Sequence, residues 1–220
     1  MKYIFVLTFF SMLILSSCSD DTTAPTDDTP KDTIPTVTIG SQVWMAKNLD
    51  ITKFRNGDII PEVKSDSAWE AAAMAKTPAW CYYEFDSTKG TKYGKLYNWY
   101  AVSDTRGLAP EGFHVPTDVE WTRLVNQLTG DMVAGTRLKS TTDWLNNGNG
   151  TNSSGFTGLP AGYITESGNF FSLGEQGCWW SATQNDNSDA WSRDISNLNS
   201  EVRRYSAAKG EGLSVRCIKD

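Results

Sequence analysis

Three tryptophans flank a short polar stretch in the last quarter of the chain. Trp179 and Trp180 precede residues 185–189, and Trp191 follows them. Adjacent residues of a strand point to opposite faces, so we expect one of the first two indoles in the core and the other at the surface. An exposed indole can stack on the C–H groups of a sugar while amides and carboxylates bind its hydroxyls. The predicted ligand-binding residues are Trp179, Trp180, Asn185, Asp186, Asp189 and Trp191. Core packing or a contact with a partner protein is the alternative.

Two stretches rich in side-chain oxygen could bind a hard cation such as calcium. They are residues 146–152 and 185–189, and the second is favoured because it carries two carboxylates. It is not an EF-hand loop, since Ala190 stands at the glycine position and Ser196 at the bidentate glutamate position. Asx turns that need no ion are the alternative. The candidate calcium ligands are Asn185, Asp186, Asn187 and Asp189, and no other cofactor or metal is expected.

Besides Cys18, the chain has Cys81, Cys178 and Cys217. An odd number of cysteines in an exported chain predicts one disulfide and one free thiol, with three pairings open. Cys178 with Cys217 is feasible if their segments are neighbouring strands. Zinc is not expected, because the chain has no Cys-x-x-Cys motif and a single histidine.

That histidine, His114, would need a nucleophile and an orienting carboxylate nearby to act as a catalytic base. Local packing at the start of a helix explains it more simply. No catalytic residue is predicted, and we therefore expect a protein that is not an enzyme. A glycosidase-like pair of carboxylates is neither supported nor excluded by the 26 acidic residues.

The first 18 residues have the features of a targeting signal. Lys2 precedes a mainly apolar run, residues 4–15, which is too short to span a bilayer. The residues Leu15-Ser16-Ser17-Cys18 resemble a bacterial lipobox, which implies cleavage before Cys18 and lipidation of its thiol. Two or more acyl chains would make such an anchor stable. The predicted domains begin with a lipoprotein signal peptide at residues 1–18.

Residues 19–36 contain five Asp, six Thr and three Pro, a composition that cannot bury enough apolar surface to fold. We predict a disordered stalk between the membrane and the domain. The Ser19-Asp20-Asp21 sequence resembles the acidic export signals of surface lipoproteins. It favours the outer face of the bacterial outer membrane over the periplasmic face.

The remaining residues, 37–220, fit one domain, and we expect a monomer. The net charge of −6, without a basic cluster, argues against a nucleic-acid partner.

Thr117 and Glu120 form a capping box that predicts a helix start. A second helix is predicted over 68–76 and a short one over 96–102. Short strands are predicted at 37–39, 42–45, 80–85, 162–165, 170–173, 178–182, 190–195, 202–206 and 213–218. This pattern is typical of an α+β fold.

Six motifs in chain order resemble the Fibrobacter succinogenes major paralogous domain family of bacterial lipoproteins and secreted modules. They are IGSQVWMAKNL (39–49), YGKLYNW (93–99), PEGFHVPTDVEW (110–121), GFTGLPAG (155–162), WSAT (180–183) and SVRC (214–217). The resemblance covers nearly all of residues 37–220. It implies a C-type-lectin-like fold, with two or three helices packed on short twisted antiparallel strands and with long ordered loops. It also favours Cys81 as the partner of Cys217, and it brings no established activity.

Together these features predict a lipid-anchored bacterial cell-surface protein whose lectin-like domain binds a glycan or a protein. A polysaccharide-active enzyme or its accessory subunit is one alternative. A structural lipoprotein of the envelope is another.

Overall fold

The structure, a computed structural model, describes Met1 and residues 34–220. Residues 34–220 form one compact unit. The predicted signal peptide with Cys18, and residues 19–33 of the predicted stalk, lie outside the described residues. Ile34 packs against the core and Thr36 begins the first strand, so the folded domain starts a few residues before the predicted boundary at Val37.

Twelve strands and five α-helices make up the described part of the chain. The strands are β1 (Thr36–Ile39), β2 (Gln42–Met45), β3 (Trp80–Cys81), β4 (Leu96–Asn98), β5 (Phe113–His114), β6 (Ala161–Ile164), β7 (Phe170–Leu173), β8 (Gln176–Gln184), β9 (Asp189–Ser196), β10 (Val202–Ala208), β11 (Gly212–Leu213) and β12 (Ile218–Lys219). The helices are α1 (Asp66–Met74), α2 (Ser87–Tyr93), α3 (Trp99–Val102), α4 (Asp118–Gln127) and α5 (Asp131–Leu138). The predicted α+β class is thus confirmed, with more sheet than helix.

The strands form two sheets. The smaller sheet has the order β1-β2-β12-β5, so the first and last segments of the domain pair with each other. The larger sheet has the order β10-β9-β8-β6-β11-β4-β3, with β7 paired to β6. All strand pairs are antiparallel except β6 with β8. The three longest strands of the larger sheet, β8, β9 and β10, contain most of the site described below.

Local sequence signals determine two elements as predicted. Gly40 adopts a φ of +61° in the turn between β1 and β2, a conformation that glycine accommodates without strain. At the start of α4, the Thr117 hydroxyl accepts the Glu120 backbone N–H, and the Glu120 carboxylate accepts the Thr117 N–H. This is the predicted capping box.

Other predicted elements are shorter than expected or are divided. The Asn98 side chain accepts the Ala101 N–H, and this cap divides the predicted helix over 96–102 into β4 and α3. The predicted strand over 80–85 ends at Cys81, since Glu84 and Phe85 have positive φ. The predicted strand over 213–218 is divided between the two sheets as β11 and β12, and α2 and α5 were not predicted at all.

The sheet of β8, β9 and β10 is packed on one face by helices. Trp179, Ile195 and Val202 join the apolar cluster that contains the buried side chains of α4 and α5. The alternate positions, Cys178 and Trp180 among them, belong to the cluster on the opposite face. None of the helices in the described residues has both the length and the apolar character needed to cross a bilayer.

Candidate functional site

A cavity of about 270 Å³ opens on the face of β8, β9 and β10 that is turned away from α4 and α5. The residues of its floor face one another across the paired strands β8, β9 and β10. Cys178 is opposite Asp194 in β9, and Asp194 is opposite Arg203 in β10. The next row places Ser192 opposite Tyr205. The walls come from β6, through Tyr163, and from the turn that leads into β11.

Asp194 is the most buried charged group of the cavity, with 7% of its surface exposed. It accepts a hydrogen bond from the Ser192 hydroxyl at 3.0 Å. This donor is neutral, and no Lys, Arg or His within residues 34–220 forms an ion pair with this carboxylate. Burial raises the pKa of Asp194 to about 6.

Glu211 is the second acid of the cavity and lies in the turn between β10 and β11. Burial, followed by the negative charge of neighbouring acids, raises the pKa of Glu211 to about 7. The strongest of these charges is that of Asp194. Among the described residues, the Glu211 carboxylate has no ion-pair partner. The cavity therefore holds two acids without a cation in contact with either.

Two tyrosines provide the aromatic surface of the cavity. Tyr205 projects from β10 and is 53% exposed, whereas Tyr163 in β6 is half-buried. Tyr163 packs beside the exposed Phe171 of β7, with ring centroids 5.8 Å apart. Aromatic rings, hydroxyls, carboxyls and the Arg203 guanidinium thus converge on one small space, as in many small-molecule sites.

Cys178 does not form the predicted disulfide. Cys81, Cys178 and Cys217 are all free and buried. Cys178 is opposite Asp194 in the strand register, and Cys81 lies in a different apolar cluster from Cys178 and Cys217. The prediction that Cys217 pairs with Cys81 or Cys178 is therefore wrong. Burial raises the pKa of the Cys178 thiol well above its ordinary value, which keeps it protonated and unreactive near neutral pH.

The expectation that Trp179 or Trp180 faces solvent is also wrong, because both indoles are 0% exposed. Apolar clusters cover both faces of β8. Trp179 packs near Phe156 and donates its indole N–H to Asn48, and Trp180 donates to the carbonyl of Tyr97. Neither ring can contact a ligand at the surface.

Trp191 is partly exposed, but one face of its ring is covered. The guanidinium of Arg204 lies 3.2 Å from the ring centroid, and the carboxylate of Asp118 binds that guanidinium. A sugar could use only the remaining surface of the indole. The binding role of Trp191 stays a prediction.

The oxygen atoms of residues 185–189 are used within their own loop. Asp186 accepts the backbone N–H groups of Ser188 and Asp189, which is an Asx turn. Asn185 and Asp189 both bind the Ser206 hydroxyl. The Lys209 ammonium donates to the carbonyls of Asp186 and Asn187, at 2.7 and 3.1 Å. An internal ammonium thus binds two backbone carbonyls of this loop, and calcium binding there stays a prediction.

His114 connects the capping box to the end of the described chain. One ring nitrogen contacts Asp220 at 2.7 Å and the other contacts Glu120 at 2.9 Å. Burial by itself would lower the pKa of His114, but these two carboxylates outweigh it and raise that pKa. The contact with Glu120 agrees with the predicted packing at a helix start, and the contact with Asp220 is to a residue distant in sequence.

Sequence reasoning missed the two acids of the cavity and both tyrosines. The signal available for Asp194 was an acid between Arg193 and Ile195 in a predicted strand, at an inward-facing position. Glu211 had no such signal, because a glutamate beside glycines is ordinary in a turn.

Comparison with known proteins identifies a family. Residues 37–219 match the family model described as the Fibrobacter succinogenes major domain. No curated protein matches the chain.

Proposed function

The chain belongs to the Fibrobacter succinogenes major domain family, and from this premise we propose that it is a non-enzymatic glycan-binding protein of the bacterial cell surface. In this proposal Cys18 carries the lipid anchor in the outer membrane. The chain that follows Cys18 links this anchor to the domain, for which we propose a C-type-lectin-like fold. Short strands, long ordered loops and the paired terminal strands support that fold.

The observation that carries the binding proposal is the cavity beside β8, β9 and β10. Its volume of about 270 Å³ is at the lower end of small-molecule sites, which suits a single sugar unit. Tyr163 and Tyr205 offer ring faces for the C–H groups of a pyranose. Gln176 and Arg203 offer hydrogen bonds to hydroxyls.

A glycan array with the full-length chain in detergent tests this proposal. We expect retention of at least one glycan class, and we expect Tyr163→Ala and Tyr205→Ala each to weaken it about tenfold, which is the loss of one stacked ring. Leu198→Ala removes an exposed apolar side chain outside the cavity and is the matched control. Absence of any retained glycan, or equal binding by all three variants, would overturn the proposal.

A glycosidase is the second candidate, and the two cavity acids favour it. Carboxyls with pKa values of about 6 and 7 could exchange protons near neutral pH, as the acid and base of glycoside hydrolysis must. Incubation of the retained glycan with the wild type, Asp194→Asn and Glu211→Gln separates the two functions. Product release by the wild type that both variants lose supports the enzyme, and binding without product release supports the binding protein.

A further inference from the structure

The cavity has an imbalance of charge that a ligand could correct. Asp194 and Glu211 both line it, and each lacks a cation in contact among the described residues. Glu166 and Asp189 add negative charge around Glu211. Transfer of carboxylates from water to such a site is costly unless they are paired.

Arg203 is the cation of the cavity wall, and it does not neutralise these acids directly. It is opposite Asp194 across β9 and β10, but it forms no ion pair with either acid. Arg203 is exposed to solvent, whereas Asp194 is buried. The interior of the cavity is therefore acidic and its edge is basic.

We propose that this cavity binds an amino sugar through its protonated amine, which lies between Asp194 and Glu211. The inference rests on the proposed function and specifies the glycan. An ammonium group supplies the missing cation and can donate to both carboxylates, since such charge-assisted hydrogen bonds are stronger than neutral ones. Arg203 binds a ring hydroxyl or another oxygen at the edge of the cavity.

The remaining groups favour a sugar over a lysine side chain as the source of the amine. A lysine inserts an apolar stem, which contacts aliphatic and aromatic surface. Here the lining around the acids includes Gln176, Arg203 and both tyrosines, and its two aliphatic side chains, Ala207 and Leu213, are buried. A pyranose has hydroxyls for these groups and C–H faces for Tyr163 and Tyr205.

The test compares three oligosaccharides with the same β-1,4 backbone: a glucosamine tetramer, its fully N-acetylated form and cellotetraose. Binding to the full-length chain in detergent is measured by titration calorimetry. We expect the glucosamine tetramer to bind about tenfold or more tightly than the other two, because one charge-assisted hydrogen bond contributes about that factor. Nα-acetyl-lysine methylamide, the peptide source of an amine, is expected to bind more weakly than the glucosamine tetramer.

Two conservative variants locate the amine. Asp194→Asn and Glu211→Gln should each weaken binding of the glucosamine tetramer about tenfold and so reduce its advantage over cellotetraose. Glu111→Gln, an exposed acid outside the cavity, is the control and should change neither. Thermal unfolding by circular dichroism confirms that the variants fold.

The outcomes separate this inference from the proposed function. Equal binding of all three tetramers would overturn the proposed recognition of an amine and leave the proposed glycan-binding function intact. Tighter binding of the lysine derivative than of the glucosamine tetramer would overturn the choice of a sugar as the source of the amine. No binding of any probe would overturn the inference, and the proposed function fails as well only if the glycan array is also empty.

Discussion

Asp194 places a carboxyl group inside β9, next to the Ser192 hydroxyl and the Cys178 thiol. Burial raises the pKa of this carboxyl from its ordinary value of 3.8 to about 6. An acid with a raised pKa keeps its proton in the folded state at pH values where the unfolded chain has lost it. Stability therefore falls as the pH rises from about 4 to about 6, and the loss is complete above that range.

Asp194→Asn removes this ionisation and should flatten the pH dependence. Relative to the wild type, the variant should gain up to about 3 kcal/mol of unfolding free energy between pH 4 and pH 7. Urea unfolding at the two pH values measures the change. Asp131→Asn, at an exposed acid, is the control. Parallel pH curves for Asp194→Asn and the wild type would contradict the assignment.

The three buried cysteines give a second prediction at this scale. With Cys18 replaced by serine, the native protein should not react with Ellman's reagent within minutes, because Cys81, Cys178 and Cys217 are buried and protonated. Urea without reductant should expose three reactive thiols. A single reactive thiol would show that two of them form a disulfide after all.

At the scale of elements, Asp118, the first residue of α4, forms ion pairs that join the helix to the large sheet. Asp118 binds Arg193 of β9 at 2.7 Å and Arg204 of β10 at 2.9 Å. Burial by itself would raise the pKa of Asp118, but the two arginines lower it. Arg193 is 3% exposed, so Asp118 offsets the free-energy cost of burying its charge.

Asp118→Asn leaves the Arg193 guanidinium buried without an ionic partner. We expect a loss of about 2–4 kcal/mol of unfolding free energy, because removal of one partner of a buried ion pair leaves the other charge buried and uncompensated. Chemical unfolding at neutral pH provides the measurement. Asp131→Asn, at the first turn of α5, should cost less than about 1 kcal/mol. Equal losses in the two variants would show that the ion pairs contribute nothing beyond the helix terminus.

The elements with local signals are those that the sequence predicts well. The hairpin of β1 and β2 depends on Gly40, and the start of α4 depends on Thr117 and Glu120, all within a few residues. The divided segments behave differently. Nothing near residue 214 shows that β11 joins one sheet and β12 the other, because their partners are far away in sequence.

At the scale of the molecule, Asn48 and Arg216 connect distant parts of the domain. Arg216 is fully buried, and its guanidinium donates to the Asn48 side chain and to the carbonyls of Met45 and Phe156. The Asn48 oxygen also accepts the Trp179 indole N–H. Segments from the beginning, middle and end of the domain thus meet at one amide, which fixes the core on which the cavity is built.

The proposed lipid anchor at Cys18 concerns the whole protein. Cys18→Ala should move the chain from the membrane fraction to the soluble fraction and abolish incorporation of a labelled fatty acid, because acyl chains supply most of the membrane affinity. Fractionation with metabolic labelling measures both effects. Cys81→Ala removes a buried cysteine and should leave both unchanged. Persistent labelling of the Cys18→Ala variant would refute the lipoprotein proposal.

The sequence alone determined the α+β class, the family, the capping box and the hairpin turn, because each depends on neighbouring residues or on motifs in order. The tertiary structure decided the site. Trp179 and Trp180 are close in sequence to the polar residues 185–189. Both are nevertheless buried, because apolar clusters cover both faces of β8. Asp194, Glu211 and Tyr163 meet only through the pairing of strands distant in sequence. Burial and proximity of this kind depend on the packing of the complete chain.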